Sequence, residues 1–207
     1  MDNTSPAPLL KAEGLTKHYP GVVALRDVSF DVQRGEVHVL VGENGAGKST
    51  LIKILSGAIR PDAGAVFIEG AAVRIRDPRH AQELGIFTIY QELPLVPQLS
   101  VVENVFLGRE RRIPTLPVLA ARTEQLAHTR EILSKLEYPL DPIVPVQHLL
   151  VGQQQMVAIA KAMVNEVKLL ILDEPTSPLT DREVEVLFRL LRTLKQRGVG
   201  IVYISHR

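Results

Sequence analysis

One segment constrains the fold of this chain more than any other: a glycine-rich loop, Gly42–Ser49, between a short apolar run and an amphipathic stretch. The apolar run, Val37–Val41, is nearly continuous, which is typical of a strand covered on both sides in a parallel sheet. Residues 51–55 then place apolar side chains on one face of a helix that ends near Gly57. This order of strand, loop and helix predicts an α/β core.

The loop has the spacing Gly-x-x-x-x-Gly-Lys-Ser, with Gly42, Gly47, Lys48 and Ser49 at the fixed positions. Because glycine has no Cβ, successive backbone N–H groups can point inward at phosphate oxygens. The Lys48 amino group supplies a cation for the β- and γ-phosphates, and the Ser49 hydroxyl can bind Mg²⁺. Since a strand precedes the loop and a helix follows it, we interpret it as a binding site for ATP or GTP rather than as a glycine turn without function.

Two carboxylates, Asp173 and Glu174, follow the apolar run Leu169–Leu172. Doubly wound folds bind their ligands at the carboxyl ends of such strands. There Asp173 can hold the Mg²⁺ shell, and Glu174 can polarise a water for in-line attack on the γ-phosphate. Alone these residues would be interpreted equally well as solvated acids at a strand end. Beside the phosphate loop they indicate nucleotide hydrolysis.

The remaining chain predicts further elements by periodicity and capping signals. After a polar N-terminal tail we expect a strand over 28–32, and we expect a small antiparallel hairpin that turns at Glu69-Gly70-Ala71. The other predicted elements are a helix Pro78–Leu84 capped by Asp77, a strand Ile86–Tyr90, a helix with a capping box at Ser100 and Glu103, helices Thr123–Leu136 and Gln153–Val164, a strand Lys168–Leu172, a helix capped by Thr180, and a strand Val199–Ile204.

Prolines punctuate the stretch from Pro94 to about Leu149, which we interpret as an inserted helical subdomain. The predicted fold class is α/β, a doubly wound P-loop NTPase core with a small antiparallel β subdomain and this insert. We expect the nucleotide-binding core and β subdomain over 1–93, the helical subdomain over 94–164, and the core continuation over 165–207.

Composition excludes several classes of function. The 207 residues include no cysteine, which excludes disulfides, thiolate metal sites and cysteine nucleophiles. A net charge of +1 gives no electrostatic footprint for nucleic acid, so no nucleic-acid partner is expected. No apolar run reaches the roughly 20 residues that cross a bilayer, and the first residues, Met1–Pro6, lack the basic-then-apolar order of a signal peptide. We therefore expect a cytosolic protein that associates with a membrane only through a protein partner.

Four groups of residues, taken in order, resemble the motifs of an ABC transporter ATPase, and the resemblance covers nearly the whole chain. They are Gly42–Thr50, Gln91, Val151–Gln155 and Asp173–Ser177. Within that family, the stretches Tyr90–Leu93 and Ser100–Glu110 are similar to the carbohydrate-import branch that serves ribose, galactosides or xylose.

The resemblance implies ATP and Mg²⁺ as ligands and assigns roles by position. It implies catalytic roles for Glu174, His206 and Lys48, with His206 as the switch histidine that contacts the γ-phosphate. It implies that Ser49, Gln91 and Asp173 bind the metal. Tyr19 matches the aromatic residue that stacks on adenine. The residues implied to contact nucleotide are Tyr19, Gly42, Glu43, Asn44, Gly45, Ala46, Gly47, Lys48, Ser49, Thr50, Val151, Gly152 and Gln153.

The resemblance also implies partners and a place in the cell. In this family two ATPase domains enclose two ATP molecules head to tail, so the signature segment of one domain completes the site of the other. We therefore expect a second ATPase domain, as a homodimer or a fused half, and a transmembrane sugar permease at the cytoplasmic face of the membrane. Family domains continue beyond the position of Arg207, so we expect a fragment or a truncated reading frame.

The chain departs from the family pattern inside the signature. Leu150 replaces the serine that donates to a γ-phosphate, and Pro178 replaces a small alanine. Our hypothesis is that the chain's own loop binds ATP normally while the site built on its signature is weakened, although Gly152 still offers its N–H. Three alternatives stay open: a degenerate regulatory half-site that binds ATP without hydrolysis, a soluble ABC-type ATPase acting on DNA or ribosomes, and a truncated product without function.

Overall fold

The structure is a computed structural model that describes residues 7–43, 45–108, 118–136, 138–177 and 179–205. The chain forms two compact units, each assembled from separate segments. The first unit comprises Met1–Thr88, Val167–Glu174 and Leu191–Arg207, and the second comprises Ile89–Glu166 and Pro175–Leu190. The subdomain boundaries expected from the sequence stay a prediction.

The described part of the chain contains both strands and helices. Among them no helix combines the length and the apolar character that crossing a bilayer requires. The strands are β1 (Leu10–Tyr19), β2 (Val22–Val32), β3 (Val37–Val41), β4 (Ala63–Ile68), β5 (Ala71–Val73), β6 (Ile86–Ile89), β7 (Leu169–Asp173) and β8 (Gly200–Ser205). The helices are α1 (Lys48–Leu55), α2 (Pro78–Glu83), α3 (Val101–Phe106), α4 (Val118–Lys135), α5 (Val151–Met163) and α6 (Asp181–Gln196), with a 3₁₀ turn at Val146–His148.

An antiparallel sheet in the first unit has the strand order β2-β1-β4-β5. The polar tail expected before residue 28 is wrong, because β1 and the first part of β2 form a long hairpin there. Leu10, Ala12 and Leu15 bury one face of β1. Gly14, in a left-handed conformation with φ 61°, interrupts their alternation at a shift in register, so the period-two signal is lost from the sequence.

The short hairpin of β4 and β5 confirms the predicted antiparallel pair. Ile68 is paired with Ala71, so the turn consists of Glu69 and Gly70 alone. Both turn residues have positive φ, 51° and 81°, as a two-residue turn that matches the twist of the strands requires.

A second sheet in the first unit has the order β3-β8-β7-β6, with β8 parallel to both of its neighbours. Residues 169–172 of β7 are fully buried, as predicted for an apolar run in a parallel sheet. The prediction that β3 is covered on both sides is wrong for the described chain, since Val37, Val39 and Val41 are 38%, 53% and 64% exposed. These three residues alternate along the strand and so share one face, which is exposed in the described residues.

Capping chemistry explains where several helices begin. The Asp77 carboxylate accepts a hydrogen bond from the His80 N–H at the start of α2, as its sequence predicts. Ser100 and Glu103 form the predicted capping box of α3. The buried Asn104 side chain then accepts from the N–H of Val96 and donates to three carbonyls of the preceding loop, which fixes that loop on α3. Both α4 and α5 begin earlier than predicted, at Val118 and Val151.

Candidate nucleotide-binding site

The glycine-rich loop leaves β3 at Val41 and enters α1 at Lys48. Gly45 and Gly47 both adopt the left-handed region, with φ of 86° and 87°. A Cβ on Gly47 would lie 2.5 Å from the carbonyl oxygen of Ala24 and 2.8 Å from the Leu25 Cδ2. Glycine is therefore required at this position by its backbone conformation and by the close approach of β2.

The Lys48 side chain folds back over the loop that precedes it. Its amino group donates to the carbonyl oxygens of Gly42 and of Glu43, the latter at 3.0 Å. The Ala46 N–H also donates to the Glu43 carbonyl, at 3.2 Å, which tightens the turn. The loop therefore holds an ammonium group at its centre, where an anionic ligand would take over as its partner.

The first turn of α1 provides backbone donors beside that ammonium group. No side chain caps the helix at Gly47, and the first turn carries no acidic residue. The first N–H groups of a helix have no partner inside the helix, and the helix dipole adds a partial positive charge there. Ser49 is exposed at this turn, and Thr50 is partly so. This end of α1 is suited to phosphate.

The two predicted carboxylates lie at the end of β7, in the same unit as the loop. Asp173 is paired with Ile204 of β8, whose next residue, Ser205, is paired with Val41 at the end of β3. The carboxyl ends of three neighbouring strands thus meet at one edge of the sheet. Glu174 follows with φ 48°, and its N–H donates to the Ile204 carbonyl at 3.2 Å.

Burial raises the pKa of the Asp173 carboxyl, and the nearby Glu174 carboxylate raises it further. The Lys48 ammonium lowers the pKa of Asp173, so its positive charge lies close enough to act on this carboxyl group. The site therefore contains acceptors that favour an additional cation and donors that favour an anion.

These residues fit a Mg²⁺ ion that is shared with a phosphate ligand. Within the described residues no group of three or more His, Cys, Asp and Glu side chains could hold a metal by itself. Mg²⁺ commonly takes one or two protein oxygens and completes its shell with phosphate oxygens and waters. The Ser49 hydroxyl and the Asp173 carboxylate are a donor set of that kind.

Tyr19 ends β1 and is paired with Val22 across the hairpin turn. Its side chain belongs to the first unit, as the loop does, and it is 40% exposed. The Lys17 ammonium lies 6.0 Å from the centre of the ring. The ring is thus accessible to a planar ligand.

The other predicted site residues belong to the second unit. Gln91 is exposed just after β6, and Val151, Gly152 and Gln153 form the first turn of α5. The structure therefore brings the loop, Asp173 and Glu174 together within one unit and leaves Gln91 and the signature in the other. Asn44, Pro178 and His206 lie outside the described residues.

Sequence reasoning missed Asp62, which holds the end of β1 next to Tyr19. Its carboxylate accepts from the Lys17 ammonium at 2.7 Å and from the His18 N–H at 2.6 Å, and its own N–H donates to the Thr16 carbonyl at 2.8 Å. The hydrogen bond from Lys17, followed by that from the His18 backbone, lowers the pKa of Asp62 to about 2. Since these partners are more than forty residues away in sequence, no local signal could have identified it.

The sequence of this chain matches a known protein family and several named proteins. A family model described as ABC transporter matches residues 25–177. The chain is 53% identical over 199 residues to Ribose import ATP-binding protein RbsA 1 of Rubrobacter xylanophilus, covering 96% of this chain and 39% of that protein. It is 52% identical over 198 residues to the protein of the same name in Streptomyces avermitilis, covering 96% of this chain and 37% of that protein. The chain thus spans about two fifths of the length of these relatives.

Solved structures share the fold. A nucleotide-free ATP-binding cassette from an ABC transporter superposes with a TM-score of 0.84 at 26% identity, covering 97% of this chain and 82% of that chain. A dimeric ATP-binding cassette in a post-hydrolysis state bound to ADP and Pi superposes with a TM-score of 0.79 at 28% identity, covering 96% of this chain and 88% of that chain.

Proposed function

Because the chain belongs to the ABC transporter family, we propose that it binds ATP and hydrolyses it to drive the import of a sugar through a membrane permease. The observation that carries this proposal is the grouping of Lys48, Asp173 and Glu174 around one loop and one edge of a sheet. The sugar-import assignment rests on relatives named for ribose import at about 50% identity.

We propose that the nucleotide is held by the loop and the hairpin of the first unit. The N–H groups of residues 42–50 donate to the phosphates, and the Lys48 ammonium contacts the β- and γ-phosphates. Tyr19 stacks on the adenine ring through its exposed face. Ser49 and Asp173 are the residues of this unit that would hold Mg²⁺, and the family pattern adds Gln91; the ion would neutralise charge on the phosphate oxygens.

Glu174 is the residue to which we assign the chemical step. Its carboxylate accepts a proton from a water whose oxygen attacks the γ-phosphorus, while the bond to the bridging oxygen breaks and ADP leaves. We assign His206 to contact the γ-phosphate during this step, as the family pattern implies. Asp173, at the same strand end, is the carboxylate that would hold the metal.

A complete site needs a second ATPase domain in this proposal, because the signature residues Val151, Gly152 and Gln153 act on the nucleotide of the partner. A related cassette solved as a dimer in a post-hydrolysis state supports that arrangement. The permease would be contacted through the surface that carries Gln91, at the cytoplasmic face of the membrane.

The substitution Glu174→Gln tests the assignment, with the chain assembled with its permease and partner domain. A carboxamide keeps the shape of the side chain but is a far weaker base, so Mg²⁺-dependent ATP turnover should fall by about 10²–10⁴-fold. Binding of a fluorescent ATP analogue should persist. Nucleotide binding without turnover in the unsubstituted protein would overturn the proposal.

A degenerate half-site is the second candidate, and Leu150 favours it. Its side chain is 71% exposed at the start of the signature helix and carries no hydroxyl for a phosphate. In that case, restoring serine at 150 should raise turnover of the assembled transporter by about one to two decades. An unchanged rate would remove the reason for this candidate.

A further inference from the structure

The signature helix α5 begins without a side-chain cap. Leu150 stands at the capping position, and its N–H donates to the Gln153 side chain at 2.9 Å. The Gln154 N–H donates to the Leu150 carbonyl, as in a regular helix. Within the described residues, no hydrogen-bond acceptor is found for the N–H groups of Val151 and Gly152. These donors lie at the positive end of the helix.

A carboxylate from α6 occupies the space beside those donors. Gly152 is buried, and a Cβ at this position would overlap the Glu183 carboxyl group and lie 2.5 Å from its Oε2. The φ of Gly152 is not positive, so its backbone conformation does not call for glycine. The missing side chain makes room for Glu183 instead.

Glu183 is itself held in place by the start of α6. Its Oε2 accepts from the Thr180 N–H at 2.9 Å and from the Thr180 hydroxyl at 2.8 Å, while its own N–H donates to that hydroxyl oxygen at 3.4 Å. This is a complete capping box. Because one oxygen is used in the box, the carboxyl group has a fixed orientation over Gly152. The pKa of Tyr138 is raised mainly by burial and secondly by the negative charge of Glu183.

We propose that Glu183 is a positioning residue for the signature segment. Its carboxylate locks the first turn of α5 against the start of α6 and so fixes the direction of the Val151 and Gly152 N–H groups. A negative charge beside a helix N-terminus is favourable, which compensates for the missing cap at Leu150. The inference deepens the proposed function, since it takes these N–H groups as contacts to the nucleotide of a partner domain.

A double-mutant cycle on the assembled transporter tests this role. Glu183→Ala and Gly152→Ala should each reduce the turnover number by roughly tenfold or more, because misplaced groups at a reacting centre are costly. Adding Gly152→Ala to Glu183→Ala should change turnover by less than about twofold, since the space is then empty. Glu183→Gln, which keeps the shape and one acceptor oxygen for Thr180 but removes the charge, should lose less turnover than Glu183→Ala. Losses that simply multiply would overturn the proposal.

The matched control is Glu103→Ala, which removes the equivalent carboxylate from the capping box of α3. It should lower the unfolding midpoint as Glu183→Ala does but leave turnover unchanged. Equal turnover losses in the two variants would show that Glu183 acts by stability alone and would overturn the proposal. ATP affinity at the chain's own loop should stay within about twofold of wild type for both variants.

A second readout does not depend on hydrolysis. In the 207-residue chain, the ¹⁵N order parameters of the Val151 and Gly152 amides should fall from about 0.85 toward 0.6 in Glu183→Ala and stay unchanged in Glu103→Ala. Rigid amides in Glu183→Ala would overturn the positioning role even if the transporter is active. If the Val151 and Gly152 amides lose order in Glu183→Ala but the assembled wild-type transporter does not hydrolyse ATP, the proposed function is contradicted and the positioning role is supported.

Discussion

At the scale of single residues, Leu150 combines two unfavourable features. It exposes 71% of an apolar side chain, and it stands where a helix needs a hydrogen-bond acceptor. The other half of a capping box is already present, because the Gln153 side chain accepts from the Leu150 N–H. A single hydroxyl at position 150 would complete the box.

Leu150→Ser should therefore stabilise the folded chain by about 0.5–2 kcal/mol, measured by urea unfolding. The serine oxygen accepts from the Gln153 N–H, a donor that a helix start leaves without an intrahelical partner. Leu150→Ala is the control, since it removes the exposed leucine without adding an acceptor. Equal stabilities of the two variants would contradict the capping explanation.

Asp62 predicts a pH dependence with a definite sign. Its pKa of about 2 in the folded chain lies below the ordinary value of 3.8, so the charged form binds its partners in the folded state. The stability it contributes is present above the unfolded-state pKa and is lost as the pH falls through 3.8 toward 2.

The substitution Asp62→Asn should destabilise the chain at neutral pH, and its difference from wild type should shrink as the pH falls from about 4 to 2. Thermal unfolding at a series of pH values measures this. Glu124→Gln serves as the control, because Glu124 is exposed and has no ion pair within the described residues. A constant difference at all pH values would contradict the assignment of Asp62 to Lys17 and His18.

At the scale of elements, the phosphate loop requires glycine for two different reasons, a left-handed backbone conformation and a close approach of another strand. Gly45 and Gly47 share the left-handed conformation, but only Gly47 is approached closely by β2, since nothing lies within 4 Å of a Cβ built on Gly45. Gly45→Ala should cost about 1–2 kcal/mol in unfolding free energy, the usual penalty of that conformation.

Gly47→Ala should cost more than Gly45→Ala, because the Ala24 backbone must also move. Nucleotide affinity should fall more strongly for the same reason, since the loop and the start of α1 would shift together. Calorimetric unfolding and titration with ATP compare the pair. Equal effects of the two substitutions would show that the close approach to β2 has no energetic consequence.

Elements with local signals could be predicted from the sequence, and elements without them could not. The Ser100 and Glu103 capping box and the Glu69-Gly70 turn follow from residues adjacent in the chain. The register shift at Gly14 removes the alternation that would have predicted β1. The exposure of one face of β3 depends on what packs against that face, which the residues of the strand do not encode. The roles of Asp62 and Glu183 could not be predicted from the sequence either, because they arise from contacts between distant segments.

At the scale of the whole molecule, the residues assigned to nucleotide binding and turnover belong to two different units. The loop, Asp173 and Glu174 belong to the first unit, whereas Gln91 and the signature belong to the second. In the proposed mechanism the signature acts on a partner's nucleotide, so binding at the loop and turnover are separable properties. The family motifs predicted the residues of the loop and of the signature. The order of these motifs in the sequence does not predict which of them belong to the same unit.

The central claim is that Gly42–Ser49 is the nucleotide site of this chain, and titration calorimetry with ATP in the presence of Mg²⁺ tests it most directly. The Lys48 ammonium is the central cation of the loop, so Lys48→Ala should weaken binding by about 10–100-fold relative to wild type. Saturable binding in wild type and its loss in Lys48→Ala is the predicted result. Equal ATP affinity in the two proteins would contradict the account.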